Sequence, residues 1–159
     1  MPLLLQEDNV VSLRTAYVHD GGDLVSFGLN PADMISLILE QSERWAPKDF
    51  EWMLKDSVWL YRKRRSHYEE QSLIASLARI EKDIRPLAFE SPPQFRLIWA
   101  DSGHSVALYL NGEPWAFIDE ATREGYSKGI LTPEAAAGKL WDQQLFERLF
   151  RDAPGSLQR

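Results

Sequence analysis

Between Gln94 and Asp119 the residues change character with a period of two, and this stretch predicts three consecutive strands. Phe95, Leu97 and Trp99 fall on one side of the first, and Arg96, Ile98 and Ala100 on the other. Asp101-Ser102-Gly103-His104 interrupts the pattern with turn chemistry, since Gly103 accepts positive φ and the Asp101 and Ser102 side chains can bond nearby backbone N–H groups. Val106, Leu108 and Leu110 alternate with Ala107 and Tyr109. Asn111-Gly112 then predicts a type I′ hairpin turn, which needs positive φ at both central residues. Trp115 to Ile118 supply the third strand, with Pro114, which has no N–H, at its start or on an edge.

Earlier in the chain, Val10 to Val18 reads as a strand with Val11, Leu13, Thr15 and Tyr17 on one side. His19 to Asp23 reads as a turn, and Leu24 to Leu29 as the returning strand. Asn30-Pro31-Ala32-Asp33 carries the marks of a helix start: a capping side chain, proline at the first helical position and an acid in the first turn. Met34, Ile35, Leu37 and Ile38 would be its buried side. Phe50, Met53, Leu54, Val58 and Tyr61 recur at helical spacing and predict a second helix from Pro47. Leu73, Leu77, Ile80 and Ile84 predict a third, ended by Pro86. Ser66 with Glu69 three residues on looks like a capping box, so residues 47–84 are expected to break near Arg65, with one long helix as the alternative. Towards the end, residues 119–131 read as a polar loop. Thr132-Pro133 opens a short Ala-rich helix, and Asp142 caps a last helix with Leu145, Phe146, Leu149 and Phe150 as its apolar stripe.

Strands and helices are thus segregated along the chain. The fold class expected is α+β, with an N-terminal hairpin and a three-stranded meander forming an antiparallel sheet against three helices, followed by a short C-terminal helical tail. The 159 residues fit one domain, with 152–159 as a flexible tail. A content of 44% hydrophobic and 26% charged residues supports an ordinary globular core. There is no cysteine, which removes disulfides and thiolate chemistry. The first residues lack the basic segment and apolar run of a signal peptide, and no apolar run approaches the roughly 18–20 residues of a membrane span. The expectation is a soluble, cytoplasmic protein.

The net charge of −6 argues against a general nucleic-acid binder. It is unevenly spread: residues 1–60 hold 4 basic and 10 acidic side chains, whereas residues 61–86 hold 7 and 4. The basic island begins at Arg62-Lys63-Arg64-Arg65, close to the heptad-spaced Trp45, Trp52 and Trp59. On one helix Trp52 and Trp59 would lie about 20° apart. Tryptophan beside arginine is the residue chemistry of interface hot spots. Trp52, Trp59, Arg62, Arg64 and Arg65 are therefore the candidate partner-binding residues. The simpler alternative is a helix buried on two sides with a solvated basic end. The run could also grip phosphates, but on a helix its four members point in different directions.

Catalytic signatures are absent from the sequence: there is no Gly-x-Ser-x-Gly elbow and no histidine spacing suited to a metal. His19 and His104 fall in expected turns beside Asp20 and Asp101, and His67 at a helix start. The loop 119–129 is the remaining ligand candidate, through Asp119, Glu120, Tyr126 and Lys128, although it lacks a phosphate-loop spacing. The functional expectation is a non-enzymatic protein-binding module (adaptor, inhibitor or assembly factor) that needs no cofactor or metal. A second copy is one partner it leaves open. A small enzyme or ligand-binding domain using loop 119–129 is one alternative, and a nucleic-acid binder through the basic run 62–65 is the other.

Overall fold

The computed structural model describes residues 3–20, 24–31, 57–63, 83–133 and 138–151. They form ten strands and one helix: β1 (Leu3–Asn9), β2 (Arg14–Asp20), β3 (Leu24–Pro31), β4 (Ser57–Lys63), β5 (Pro86–Leu87), β6 (Phe95–Trp99), β7 (Val106–Leu110), β8 (Glu113–Asp119), β9 (Glu124–Ser127), β10 (Lys139–Leu140) and α1 (Gln143–Phe150). Two five-stranded sheets result, ordered β1-β2-β3-β4-β5 and β10-β9-β8-β7-β6. Each is a meander of antiparallel neighbours with one short parallel strand at an edge, β5 beside β4 and β10 beside β9.

The meander expected at 94–119 is present as β6 to β8. Asn111 and Gly112 have φ of 49° and 84°, the turn conformation that the dipeptide predicts. Pro114 lies at the start of β8, where the pairing with β7 shifts register.

The α+β expectation is overturned. The described residues are mostly strand, in two mixed sheets, and not three helices packed on one sheet. Asn30 and Pro31 do not open a helix: they end β3, opposite Thr15 and Arg14 of β2. Val58, Trp59 and Tyr61 do not share a helix face either, because 57–63 is a strand between β3 and β5. Its run Ser-Val-Trp-Leu-Tyr is buried on both faces, and a doubly buried strand loses the polar alternation that marks strands in a sequence. Ile84, expected to end the third helix, instead bridges Ile130. The rest of the three expected helices lies outside the described residues. Val10 to Leu13 is a turn and not the start of a strand, His19 and Asp20 belong to β2, and part of the expected loop 119–131 is β9.

The sheets pack on each other. Ala16, Val18, Val25, Phe27, Leu29, Val58 and Leu60 of the first meet Leu97, Val106, Leu108, Leu110, Ala116 and Ile118 of the second in one apolar core. The outer face of the second sheet carries Ile98, Ala107 and Phe117, and α1 closes over them with Phe146 and Phe150. Asp142 caps α1 as expected, accepting the Leu145 N–H at 3.0 Å. Burying each of the two phenylalanines contributes roughly 1.5–3 kcal/mol, more than the cap, so packing and not capping holds this eight-residue helix in place.

One junction locks the sheets together. The Trp115 indole N–H donates to the buried Leu60 carbonyl at 2.7 Å. Gly129 lies against that same carbonyl so closely that a Cβ would collide with it. Beside it, Arg85 N–H donates to Gly129 O at 2.7 Å and Arg62 N–H to Arg85 O at 2.9 Å, so a continuous ladder runs from β4 to residues 129–131.

Candidate functional site

The β1–β2 connection is built from its first residue. The Asn9 side-chain oxygen accepts the N–H groups of Val11 (2.9 Å) and Ser12 (3.1 Å), and the Asn9 carbonyl accepts Leu13 N–H at 2.9 Å. These bonds wind four residues into one fixed turn, which is what asparagine does when its side chain imitates a backbone acceptor. The turn holds Leu13 at φ 58°, in the left-handed region. Three apolar side chains then project from its tip: Val10 is 86% exposed, Val11 71% and Leu13 74%.

The base of the hairpin is clamped on both sides. Arg14 pairs with Glu120 at 2.8 Å and donates to the Leu29 carbonyl at 3.4 Å. Thr15, buried one residue further on, donates its hydroxyl to Asp8 at 2.6 Å. The β6–β7 turn packs alongside, since a Cβ on Gly103 would come within 3.3 Å of Val11 Cβ. On β1, Glu7 accepts the Trp99 indole N–H at 2.7 Å, tying this edge of the first sheet to the second. The tip is therefore an apolar point on a rigid support.

Of the five candidate partner-binding residues, Trp59 and Arg62 are described, and both are engaged within the fold. Trp59 is 3% exposed inside β4, opposite Ser26. Arg62 donates its Nε to the Ile84 carbonyl at 3.2 Å, within the junction ladder. Trp52, Arg64 and Arg65 lie outside the described residues.

Of the four ligand candidates, Asp119 is buried and folds the β8–β9 turn, accepting from Ala121 N–H and the Thr122 hydroxyl, both at 3.1 Å. Glu120 meets Arg14. Tyr126 stacks on Phe117 with ring centroids 4.7 Å apart and donates its hydroxyl to Glu124 at 3.1 Å. Burial first, then the bonded Glu124 carboxylate, push its phenol up to about 12. Lys128 lies over the Trp141 ring at 4.7 Å and pairs with Glu113 at 3.4 Å. Glu120 is thus turned to Arg14, while Tyr126 and Lys128 lie towards Phe117 and Trp141.

An open cleft of about 470 Å³ lies beside Tyr126, walled by Pro133, Lys139, Leu140, Trp141 and Asp142. Several of its polar groups are engaged: Trp141 N–H donates to Gln143 at 2.9 Å, Gln143 donates to Glu147 at 3.0 Å, and Lys139 pairs with Glu124 at 3.5 Å.

His19 is buried in β2, and its Nε2 has no hydrogen-bond partner among the described residues. Burial pulls its imidazole below the usual value against the charge of Asp20. No group of three or more metal-ligating side chains occurs among the described residues, and none of their helices is long and apolar enough to cross a membrane.

The tip is not legible as such because Val10, Val11 and Leu13 fit the strand expected over Val10 to Val18. The available signal was the punctuation around them, Asp8-Asn9 before and Ser12 within, which is turn chemistry. Set against known proteins, the chain matches no family model, no curated protein and no solved structure.

Proposed function

We propose that the protein is a non-enzymatic protein-binding module whose docking element is the β1–β2 tip. The supporting observation is Leu13. A leucine in the left-handed region costs about 1–2 kcal/mol relative to an ordinary conformation. At 74% exposure its side chain recovers little of that by burial. Asparagine or glycine would build the same turn more cheaply. A strained, solvent-exposed apolar side chain on a fixed turn makes sense where its return comes from a second molecule. Preorganisation by Asn9 serves the same end, because a turn already in its bound shape loses less entropy on association. The alternative site at 119–129 has less support, since Asp119 is spent on its own turn, Glu120 on Arg14 and Lys128 on Glu113.

The test is the double variant Val10→Asp, Val11→Asp in the full tagged chain. Both positions are exposed, so the melting transition should move by no more than about 0.5 kcal/mol in stability. Capture of protein partners from host lysate should be lost. Retention of the same partners at the same affinity would refute this role for the tip.

A further inference from the structure

The tip is not only apolar; its surroundings are acidic, and the geometry points to the partner. Glu7 and Asp8 lead into the turn, Asp101 lies in the β6–β7 turn packed beside Val11, and Asp119 and Glu120 begin the turn after β8 that Arg14 reaches. Among the described residues, the guanidiniums at this end are Arg14, already paired with Glu120, and Arg123 in the same turn as Glu120. Among the described residues, the exposed carboxylates around this apolar point are thus Glu7, Asp8 and Asp101, against the one exposed guanidinium of Arg123, while Asp119 is buried in its own turn. Two of those carboxylates are fixed in place, Glu7 by the Trp99 indole and Asp8 by the Thr15 hydroxyl.

Building on the protein-binding reading above, we infer that the tip inserts into an apolar groove of a partner protein whose rim carries lysine or arginine. The apolar side chains would supply contact, and the acidic collar would supply orientation and association rate. The same collar argues against the other occupants. An anionic lipid surface would repel it, since membrane attachment by exposed apolar residues relies on cationic neighbours. A second copy meeting tip to tip would bring two acidic collars together.

The experiment places a photo-crosslinking amino acid at Val11 of the full chain, with the same group at exposed Leu140 as the control. Irradiation in host lysate is followed by mapping of the joined residues. The affinity of the captured partner is then measured between about 0.05 M and 0.5 M salt.

The expected result is a protein crosslinked at Val11 but not at Leu140, joined at an apolar site bordered by Lys or Arg. Binding should weaken roughly tenfold or more across that salt range. A partner joined at Val11 whose site lacks a basic border, or whose affinity ignores salt, overturns this inference and leaves the docking role of the tip standing. No protein crosslink at Val11 above the Leu140 control overturns the docking role itself. Crosslinks from Val11 to this same chain, or co-sedimentation with vesicles of phosphatidylcholine and about 30% phosphatidylserine that Val11→Asp abolishes, would also overturn the inference in favour of self-association or lipid.

Discussion

Leu13→Asn tests the reasoning about the tip without any knowledge of the partner. The substitution keeps the turn, because asparagine enters the left-handed region readily and leucine does not, and relief of the backbone cost is worth about 1 kcal/mol. Against this stands the lost burial. A fully buried leucine is worth roughly 1.5–3 kcal/mol, and with 74% of Leu13 exposed only about a quarter of that, near 0.5 kcal/mol, is at stake. Asparagine, unlike glycine, adds no extra backbone freedom to the unfolded chain. The net expectation is a gain of about 0.5 kcal/mol, or a rise in Tm of about 1–2 °C for a chain of this size. Urea unfolding followed by tryptophan fluorescence measures it, with Leu13→Ala as a comparison that removes side chain without relieving φ. The alanine variant should lose up to about 0.5 kcal/mol. If Leu13→Asn instead destabilises by more than about 1 kcal/mol, Leu13 is a structural residue and the argument from its exposure fails.

At the junction, Gly129→Ala forces a Cβ into the Leu60 carbonyl, and β4 must move away from Trp115; a loss of about 3 kcal/mol or more is expected, with a shifted Trp115 indole N–H resonance as the local sign. Wild-type stability would sink that account. Asp142→Ala removes the α1 cap and should cost about 1 kcal/mol, whereas Asp142→Asn, which can still accept from Leu145, should cost much less; equal losses would mean the cap is not the cause. His19 gives a pH dependence whose sign is fixed by its burial. Its folded pKa lies below the unfolded value near 6.5, so below that pH the unfolded chain binds the proton first. The contribution is fully present above about 6.5 and is lost as pH falls through the window down to the depressed folded value. The urea midpoint should therefore drop between pH 7 and about 5.5, and His19→Gln should flatten the drop; an unchanged slope in that variant would assign the effect elsewhere.

Legibility followed how local the determining physics is. The Asn111-Gly112 turn and the strands around it are readable because the turn needs only its own two residues and its flanks alternate. The Asp142 cap and the Phe146 and Phe150 face are readable for the same reason. β4 is not, because a strand covered on both sides offers an unbroken apolar run that also fits a helix period, and Val58 and Tyr61 fit that period by spacing alone. Asn30-Pro31 carries a true capping signature, but pairing of Asn30 with Thr15, fifteen residues away, decides its conformation. The tip is not legible because an apolar residue in a sequence is more often buried than exposed, and Val10 at 86% exposure departs from that. The island at Arg62 looked like a free surface because its partner, the Ile84 carbonyl, is contributed by the junction.

The division of the inter-sheet core has a consequence for synthesis. One part of its apolar lining comes from residues up to Tyr61, and the second sheet's part begins only at Phe95, with Ile84, Leu87 and Phe89 between them. A ribosome making about 5–20 residues per second leaves the first part without its cover for seconds, a long interval beside the microseconds of hairpin formation. During that interval the nascent chain can pair β1, β2 and β3 but must hold Val25, Phe27 and Leu29 against water or against a chaperone. A messenger truncated before the codon for Phe95 would accordingly yield a product with an uncovered apolar sheet, destined for aggregation or proteolysis and not for a smaller working protein.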